Sequence, residues 1–367
     1  MTPDPPTTAA VFPEPAARFL AGLRAGIAAV DLEAWPLVVG VSGGGDSVAL
    51  LLGLLRIAPA AAGRLVVAHA EHDLRPAAAA DREFVVALAE RLGLSPAWRQ
   101  LAVRDAGDGR GEGLEARARR LRYAFLADVA RSAGARHVAV AHTADDQAET
   151  ILHRVLRGTG VAGLAGMPRA RELCPGVGLV RPLLAVSRGD VRAFLAAEGA
   201  EWREDETNAD TARARNFLRH ELLPRCASGP YPVAAAAVVR LGGQAGRLAA
   251  ALASAAEHLL DRHADRRADG TVVVRLRPLA GLDPHLVAEV FVALWRREDW
   301  PRRDMTARHY GRLAAVAGDP APAAPAGLPF PLPGGVEGRL LPEGLLELRP
   351  AAPPRGRSPQ DDISTRL

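Results

Sequence analysis

The sequence contains no lysine. Its 46 basic residues are therefore all arginine, set against 42 acidic ones, and the formal net charge is only +4 over 367 residues. A chain without lysine cannot supply the P-loop lysine of a Walker-A site or the amine of a Schiff-base enzyme. Cysteine is nearly as scarce, with Cys174 and Cys226 alone and no CxxC pair. That excludes a disulfide framework, a cysteine-rich zinc site and an iron–sulfur cluster built from this chain. Residues 1–15 show no basic segment ahead of an apolar run, so no signal peptide is expected. No 18-residue stretch is free of charges and breakers; a membrane span is not expected, and the expected compartment is the cytoplasm. The pI near 9.7 allows a phosphate-rich partner, although an arginine-rich, alanine-rich coding bias explains it equally well.

What is present is a globular composition, 49% apolar and 24% charged, long enough for two domains. The first half alternates short β-branched runs with longer helical patterns. Strands are expected at 37–41, 64–68, 98–103, 137–141 and 180–184, and helices at 47–57, 80–92, 113–133, 145–156 and 187–198. This spacing predicts an α/β domain, a parallel doubly wound sheet with helices on both faces. After Asn208 the pattern changes to a basic helix (213–226), a linker near 226–232 and a long alanine-heavy helical stretch (233–267). A strand at 271–276, two further helices, a Pro/Ala loop at 319–329 and a hairpin through 336–348 follow. The expected organisation is an N-terminal extension (1–32), a catalytic domain (33–226), a mainly helical domain with a small β-hairpin (233–350) and a disordered tail (351–367).

Three segments carry chemistry. Ser42-Gly43-Gly44-Gly45-Asp46-Ser47 lies between a buried strand and a helix. Glycines let the backbone approach an anion, while hydroxyls and helix N-terminal amides donate to phosphate. Asp46 would repel a bare phosphate but suits one bridged by Mg²⁺; a plain helix-capping turn is the bland alternative. His69-Ala70-Glu71-His72-Asp73-Leu74-Arg75 ends the second strand and should face the same crevice. Its His-x-Glu opens a zinc-deaminase pattern, yet the required Pro-Cys-x-x-Cys is missing. In Ala141-His142-Thr143-Ala144-Asp145-Asp146-Gln147-Ala148-Glu149-Thr150, Asp146 and Glu149 share one helix face. Two carboxylates there repel unless a cation sits between them, and a substrate ammonium would do so. Acids favoured by the helix dipole are the structural alternative.

The SGGGDS string resembles the signature of the PP-loop family, the N-type ATP pyrophosphatases. The continuation RGTGxxGL (157–164), the Glu115-Ala116-Arg117…Arg122-Tyr123 helix, Arg181-Pro182-Leu183-Leu184 and Asp205-Glu206-Thr207-Asn208…Arg215-Asn216-Phe217-Leu218-Arg219 narrow the resemblance to the tRNA(Ile)-lysidine synthetases within it. The likeness runs from about Leu37 to Pro224, and Glu206 departs from it where the pattern has proline. It implies binding of ATP by Ser42, Gly43, Gly44, Gly45, Asp46 and Ser47, with Arg119 and Arg181 on its phosphates and Asp46 on Mg²⁺. It further implies His142 near the reacting groups, Asp146 and Glu149 holding free L-lysine, and Arg215 and Arg219 gripping tRNA. The implied reaction joins lysine to the wobble cytidine of a CAU-anticodon isoleucine tRNA, releasing AMP and pyrophosphate; a homodimer is allowed. A cytidine 2-thiolase of the same family is the alternative, weakened by the missing cysteines. A PP-loop ligase for a small molecule and an RNA-binding module with a decayed nucleotide site are the others.

Overall fold

The structure is a computed structural model that describes residues 13–72, 78–104, 113–204, 214–318 and 327–350. Residues 1–12, Asp73 to Arg75 of the second segment, Asp205 to Asn208 with the departing Glu206, most of the Pro/Ala loop and the tail from 351 lie outside the described residues. The chain divides into two compact units, Met1–Gly246 and Arg247–Leu367.

The first unit is built on a six-stranded sheet in the order β3-β2-β1-β4-β6-β5. Its strands are β1 (Leu37–Gly40), β2 (Leu65–His72), β3 (Ser95–Leu101), β4 (His137–Ala139), β5 (Ala170–Cys174) and β6 (Val177–Val180). All neighbouring pairs are parallel except β5 with β6, a hairpin that adds an antiparallel edge. Leu37, Val38 and Val39 are sealed from solvent, as a strand buried on both faces demands. The helices are α1 (Glu14–Ile27), α2 (Gly45–Ile57), α3 (Ala78–Arg91), α4 (Leu114–Ser132), α5 (Ala144–Leu156), the short α6 (Val161–Leu164) and α7 (Arg188–Ala197). One core cluster joins α1, α2, α3 and α7 to the sheet; a second joins α4 to the other face. The doubly wound arrangement expected from the strand–helix alternation is what forms.

The chain moves from β1 outward to β2 and β3, then returns to place β4 on the other side of β1. That reversal opens a crevice beyond the carboxyl ends of β1 and β4, where ligands of such sheets bind. The loop 41–44 follows β1 and the segment 140–143 follows β4, so both motifs meet there.

Two elements depart from the expected boundaries. Residues 14–27 of the expected extension form α1, whose Phe19 is fully buried and stacks on Phe194 of α7 at 4.2 Å. Farther on, the expected basic helix is α8 (Ala214–Phe217), a π-helical turn (Leu218–Leu222) and α9 (Leu223–Ser228) in succession. The division between units falls inside the 30-residue α10 (Ala234–His263) rather than at 226–232.

The second unit contains α11 (Pro284–Arg297) and α12 (Ala307–Gly318) beside a five-stranded antiparallel sheet. That sheet has β7 (Ala264–Arg266), β8 (Val272–Arg275), β9 (Pro329–Leu332), β10 (Val336–Leu341) and β11 (Leu345–Pro350) in the order β7-β8-β11-β10-β9. The expected hairpin is β10–β11. Its core centres on the fully buried Trp295, edge-on to Trp300 at 5.0 Å and to Tyr310 at 5.9 Å.

Because α1 crosses the backbone after β6 closely, a methyl group at Gly26 would collide with the Pro182 carbonyl. We expect Gly26→Ala to destabilise the first unit by about 1–3 kcal/mol in chemical denaturation. An unchanged midpoint would mean that α1 is not part of that core.

Candidate active site

Geometry explains why glycine and serine occupy the loop after β1. Gly43 has φ +91°, a conformation other residues reach only with strain. A Cβ at Gly45 would press on Leu195 and Trp202 at 3.3–3.4 Å. The two serines brace the turn: Ser47 Oγ donates to Gly44 O at 2.8 Å, accepts from Ser42 N at 3.1 Å and faces Ser42 Oγ at 3.2 Å. Gly44 caps α2 with no side chain covering its first amides. The loop is thus preshaped with its helix N-terminus open, the arrangement that receives an anion.

Asp46, in the first turn of α2, faces the other carboxylates. Burial pushes its pKa up to about 6; Arg188 and Arg219 pull it down, while Asp146 and Asp145 push it further up. Arg188 Nε lies 3.7 Å from Asp46 Oδ2.

The adjacent acids at the start of α5 separate into distinct jobs. Thr143 caps the helix, and Asp146 completes a capping box by accepting from Thr143 N at 2.9 Å. The other Asp146 oxygen accepts from Arg188 Nη2 at 3.1 Å and Arg219 Nη2 at 3.0 Å. Asp145 accepts from the backbone N–H of Arg188 at 2.8 Å, tying down the start of α7. Glu149, 2% exposed, takes a fork from Arg219 at 2.6 and 2.9 Å. A cation does sit between Asp146 and Glu149, but it is Arg219 of the chain itself and not the substrate ammonium expected there. Arg219, expected among the tRNA contacts, is committed to these carboxylates. The π-helical turn that carries it lies against α5, and π turns often mark functional positions. Arg215 is exposed, as a contact with an extended partner requires.

Beyond β4 the charge changes sign. His142 is pushed down to about 4, by burial first, with Arg181, Arg122 and Arg119 acting against the pull of Asp146. It is a neutral imidazole at physiological pH. The guanidiniums of Arg119, Arg122 and Arg171 stand 5.0, 5.4 and 5.0 Å from the centre of the Tyr123 ring. Arg181, buried, donates to Pro168 O at 2.8 Å and approaches the Tyr123 hydroxyl. Arg119 and Arg181 thus stand together, on the side of the crevice toward β6 and β5.

The segment at the end of β2 is largely structural where it is described. His69 Nδ1 donates to Val41 O at 2.8 Å, and buried Glu71 pairs with Arg82 at 3.0 Å. Together they hold the strand end that supports the loop.

Residue motifs missed three contributors. Arg188 links Asp46, Asp146 and Glu149. Arg203 donates its backbone N–H to Gly43 O at 2.9 Å and anchors its side chain on buried Asp81 at 3.2 Å, with Trp202 against Gly45. Tyr123 entered only as a motif letter. The helix-capping Ser187 just before Arg188 was the available signal for the first.

Comparison with known proteins agrees with this geometry. Residues 23–226 match the PP-loop domain family, more than half of the chain. The chain is thus a PP-loop protein. A tRNA(Ile)-lysidine synthase from Rhodopirellula baltica is 35% identical over 318 residues, covering 77% of this chain and 79% of that protein. Another, from Methylobacterium nodulans, is 41% identical over 256 residues, covering 69% and 71%. Within the PP-loop class, the chain belongs to the tRNA(Ile)-lysidine synthase family. A Thermus thermophilus member is 52% identical over 189 residues, but the match spans only 35% of that relative's length. A solved U34-tRNA thiolase, NcsA of Methanococcus maripaludis, shares the fold with a TM-score of 0.52 at 13% identity, covering 63% of this chain and 79% of that one.

Two measurements test this electrostatic picture. A carboxyl whose folded pKa is raised contributes stability that is present below its unfolded pKa and lost as pH rises through the folded one. That contribution fades between about pH 4 and 6, and above it ionised Asp46 burdens the fold, so Asp46→Asn should raise unfolding stability near pH 7.5 by about 1 kcal/mol but not at pH 4. Equal effects at both pH values would refute the assignment. Arg219→Met strands buried Glu149 and should cost about 3–5 kcal/mol; adding Glu149→Gln should recover most of it. A double variant no more stable than Arg219→Met would show that the pair is not what holds α5 to the π turn.

Proposed function

We propose that this protein joins free lysine to C2 of the wobble cytidine in the isoleucine tRNA with a CAU anticodon, using ATP. The carrying observation is one sheet end that combines a preshaped phosphate loop with a paired-carboxylate cluster. Relatives named tRNA(Ile)-lysidine synthase, matched over most of their own length, support it.

In the first step the cytidine C2 oxygen attacks the α-phosphorus of ATP, and pyrophosphate leaves. The loop amides and hydroxyls from Ser42 to Ser47 hold the ATP phosphates; Arg119 and Arg181, expected to join them, belong to the cluster around Tyr123. Asp46 would hold Mg²⁺, which neutralises phosphate charge when bound. One carboxylate suits that ion, because Mg²⁺ completes its shell with phosphate oxygens and water.

In the second step the ε-amine of lysine attacks C2, the C2–O bond breaks, and AMP departs with that oxygen. The amine must lose a proton to become nucleophilic. Asp146 and Glu149 attract the ammonium when it displaces Arg219 from their oxygens, and a carboxylate of this pair accepts the proton. Neutral His142, between the carboxylates and the arginines, sits near the activated cytidine and can accept or donate a hydrogen bond there. Arg215 contacts the tRNA. A sulfur-transferring reading gains no support, since Cys174 lies on β5 beside Arg131 and Cys226 in α9.

The test is incorporation of radiolabelled lysine into acid-precipitable RNA with a CAU-anticodon isoleucine transcript, ATP and Mg²⁺. Incorporation should require ATP and fail with a wobble uridine. Asp46→Asn should abolish it while leaving tRNA binding intact. Pyrophosphate release without lysine incorporation would overturn the assigned nucleophile.

A further inference from the structure

Three buried polar atoms of the first unit converge on one place without completing a well-formed hydrogen bond: Arg181 Nε, Tyr123 Oη and His142 Nδ1. Around them stand the guanidiniums of Arg119, Arg122 and Arg171. None of these four arginines makes an ion pair with a carboxylate among the described residues. Their charges instead act on one another: Arg119 is held below its usual range by burial first and then by Arg122, Arg215 and Arg171. Like charges crowded around the buried Arg181, with open donors, are costly in an isolated protein. An anion that accepts several hydrogen bonds removes the cost.

We infer that the pocket formed by Arg119, Arg122, Arg171, Arg181 and Tyr123 seats a backbone phosphate of the RNA substrate beside the nucleotide being modified. The inference rests on the reading above that the substrate is an RNA. Three observations select a phosphodiester. The glycine loop after β1 already provides a seat for nucleotide phosphates. The arginine pocket instead gathers groups from α4, from β5 and from the end of β6, so it opens toward the sheet's edge strand, where a polymer can run past. The Tyr123 ring has three guanidiniums over it, leaving no face on which a base could stack. Guanidiniums offer forked donors that match phosphate oxygens, and such contacts fix the register of a nucleic acid on a protein.

The test compares the wild type with Arg122→Met and, independently, Arg171→Met, both outside the proposed nucleotide loop and carboxylate cluster. Binding of the CAU-anticodon transcript is measured by filter retention over a salt series, and MgATP binding without RNA by equilibrium dialysis. Each variant should bind RNA several-fold more weakly, with a log–log salt slope shallower by about 1 and an unchanged MgATP dissociation constant. Without ligand each variant should melt no lower than the wild type, because a repulsive charge has gone. Weakened MgATP binding with RNA binding intact would assign the pocket to the nucleotide and overturn the inference. Unchanged binding of both, in folded variants, would overturn it equally. Wild-type protein that binds the transcript but never incorporates lysine would instead count against the proposed reaction, leaving the phosphate seat standing.

Discussion

Glu149 is almost wholly removed from water, and Arg219 grips both of its oxygens. That fork, together with Arg188 and Asp146, joins three stretches of chain far apart in sequence: the first turn of α5, the first residue of α7 and the π turn after α8. Net stabilisation by buried ion pairs is small, since desolvation offsets most of the attraction. Their consequence is conformational: removing one member leaves a bare charge, so the three segments hold one arrangement. The loop after β1 inherits that order, because Arg188 also faces Asp46 and Asp145 fixes the backbone of Arg188.

Around this knot the charges are sorted. Carboxylates with their two counter-ions occupy one side of the crevice, arginines facing one another occupy the other, and a neutral imidazole stands between. Protonation couples the sides in opposite senses. Asp46, with a raised pKa, gives stability that disappears as pH climbs from about 4 to 6. His142, lowered to about 4, gives stability that is full above about pH 6.5 and disappears as pH falls. Over the same window the two contributions offset, so the folded site tolerates a mild acid shift that either group alone would register.

How much of this could be read in the chain depended on whether a feature is local. The glycine–serine loop, the buried β1 and the start of α5 are set by neighbours within a few residues, and all three stand close to where the spacing puts them. Partnerships across the sheet were not legible. Nothing in Asp145-Asp146 says that one acid anchors α7 while the other completes a capping box. In a chain whose every cation is arginine, no single arginine announces that it will face a carboxylate rather than a phosphate; Arg219 and Arg188 are the cases in point. The β5 strand was missed because Arg171 and Glu172 interrupt any apolar run and none of its residues is buried. The unit division inside α10 is hidden by an alanine-rich helical pattern that continues unbroken across it.

The absence of lysine acquires a chemical meaning at the carboxylate cluster, whatever produced the bias. In the proposed reaction a counter-ion beside Asp46, Asp146 and Glu149 must stay charged while carboxylates and an incoming amine exchange protons. A lysine there could shift its pKa when desolvated and release its proton. Its neutral amine would then be the same nucleophile as the proposed substrate, fixed beside the activated cytidine and able to attack it. Guanidinium does neither: it remains protonated at any working pH, and its delocalised nitrogens are poor nucleophiles. With Arg188 and Arg219 in those positions, neither counter-ion can release a proton or attack, and in the proposed reaction the amine has to come from outside the chain.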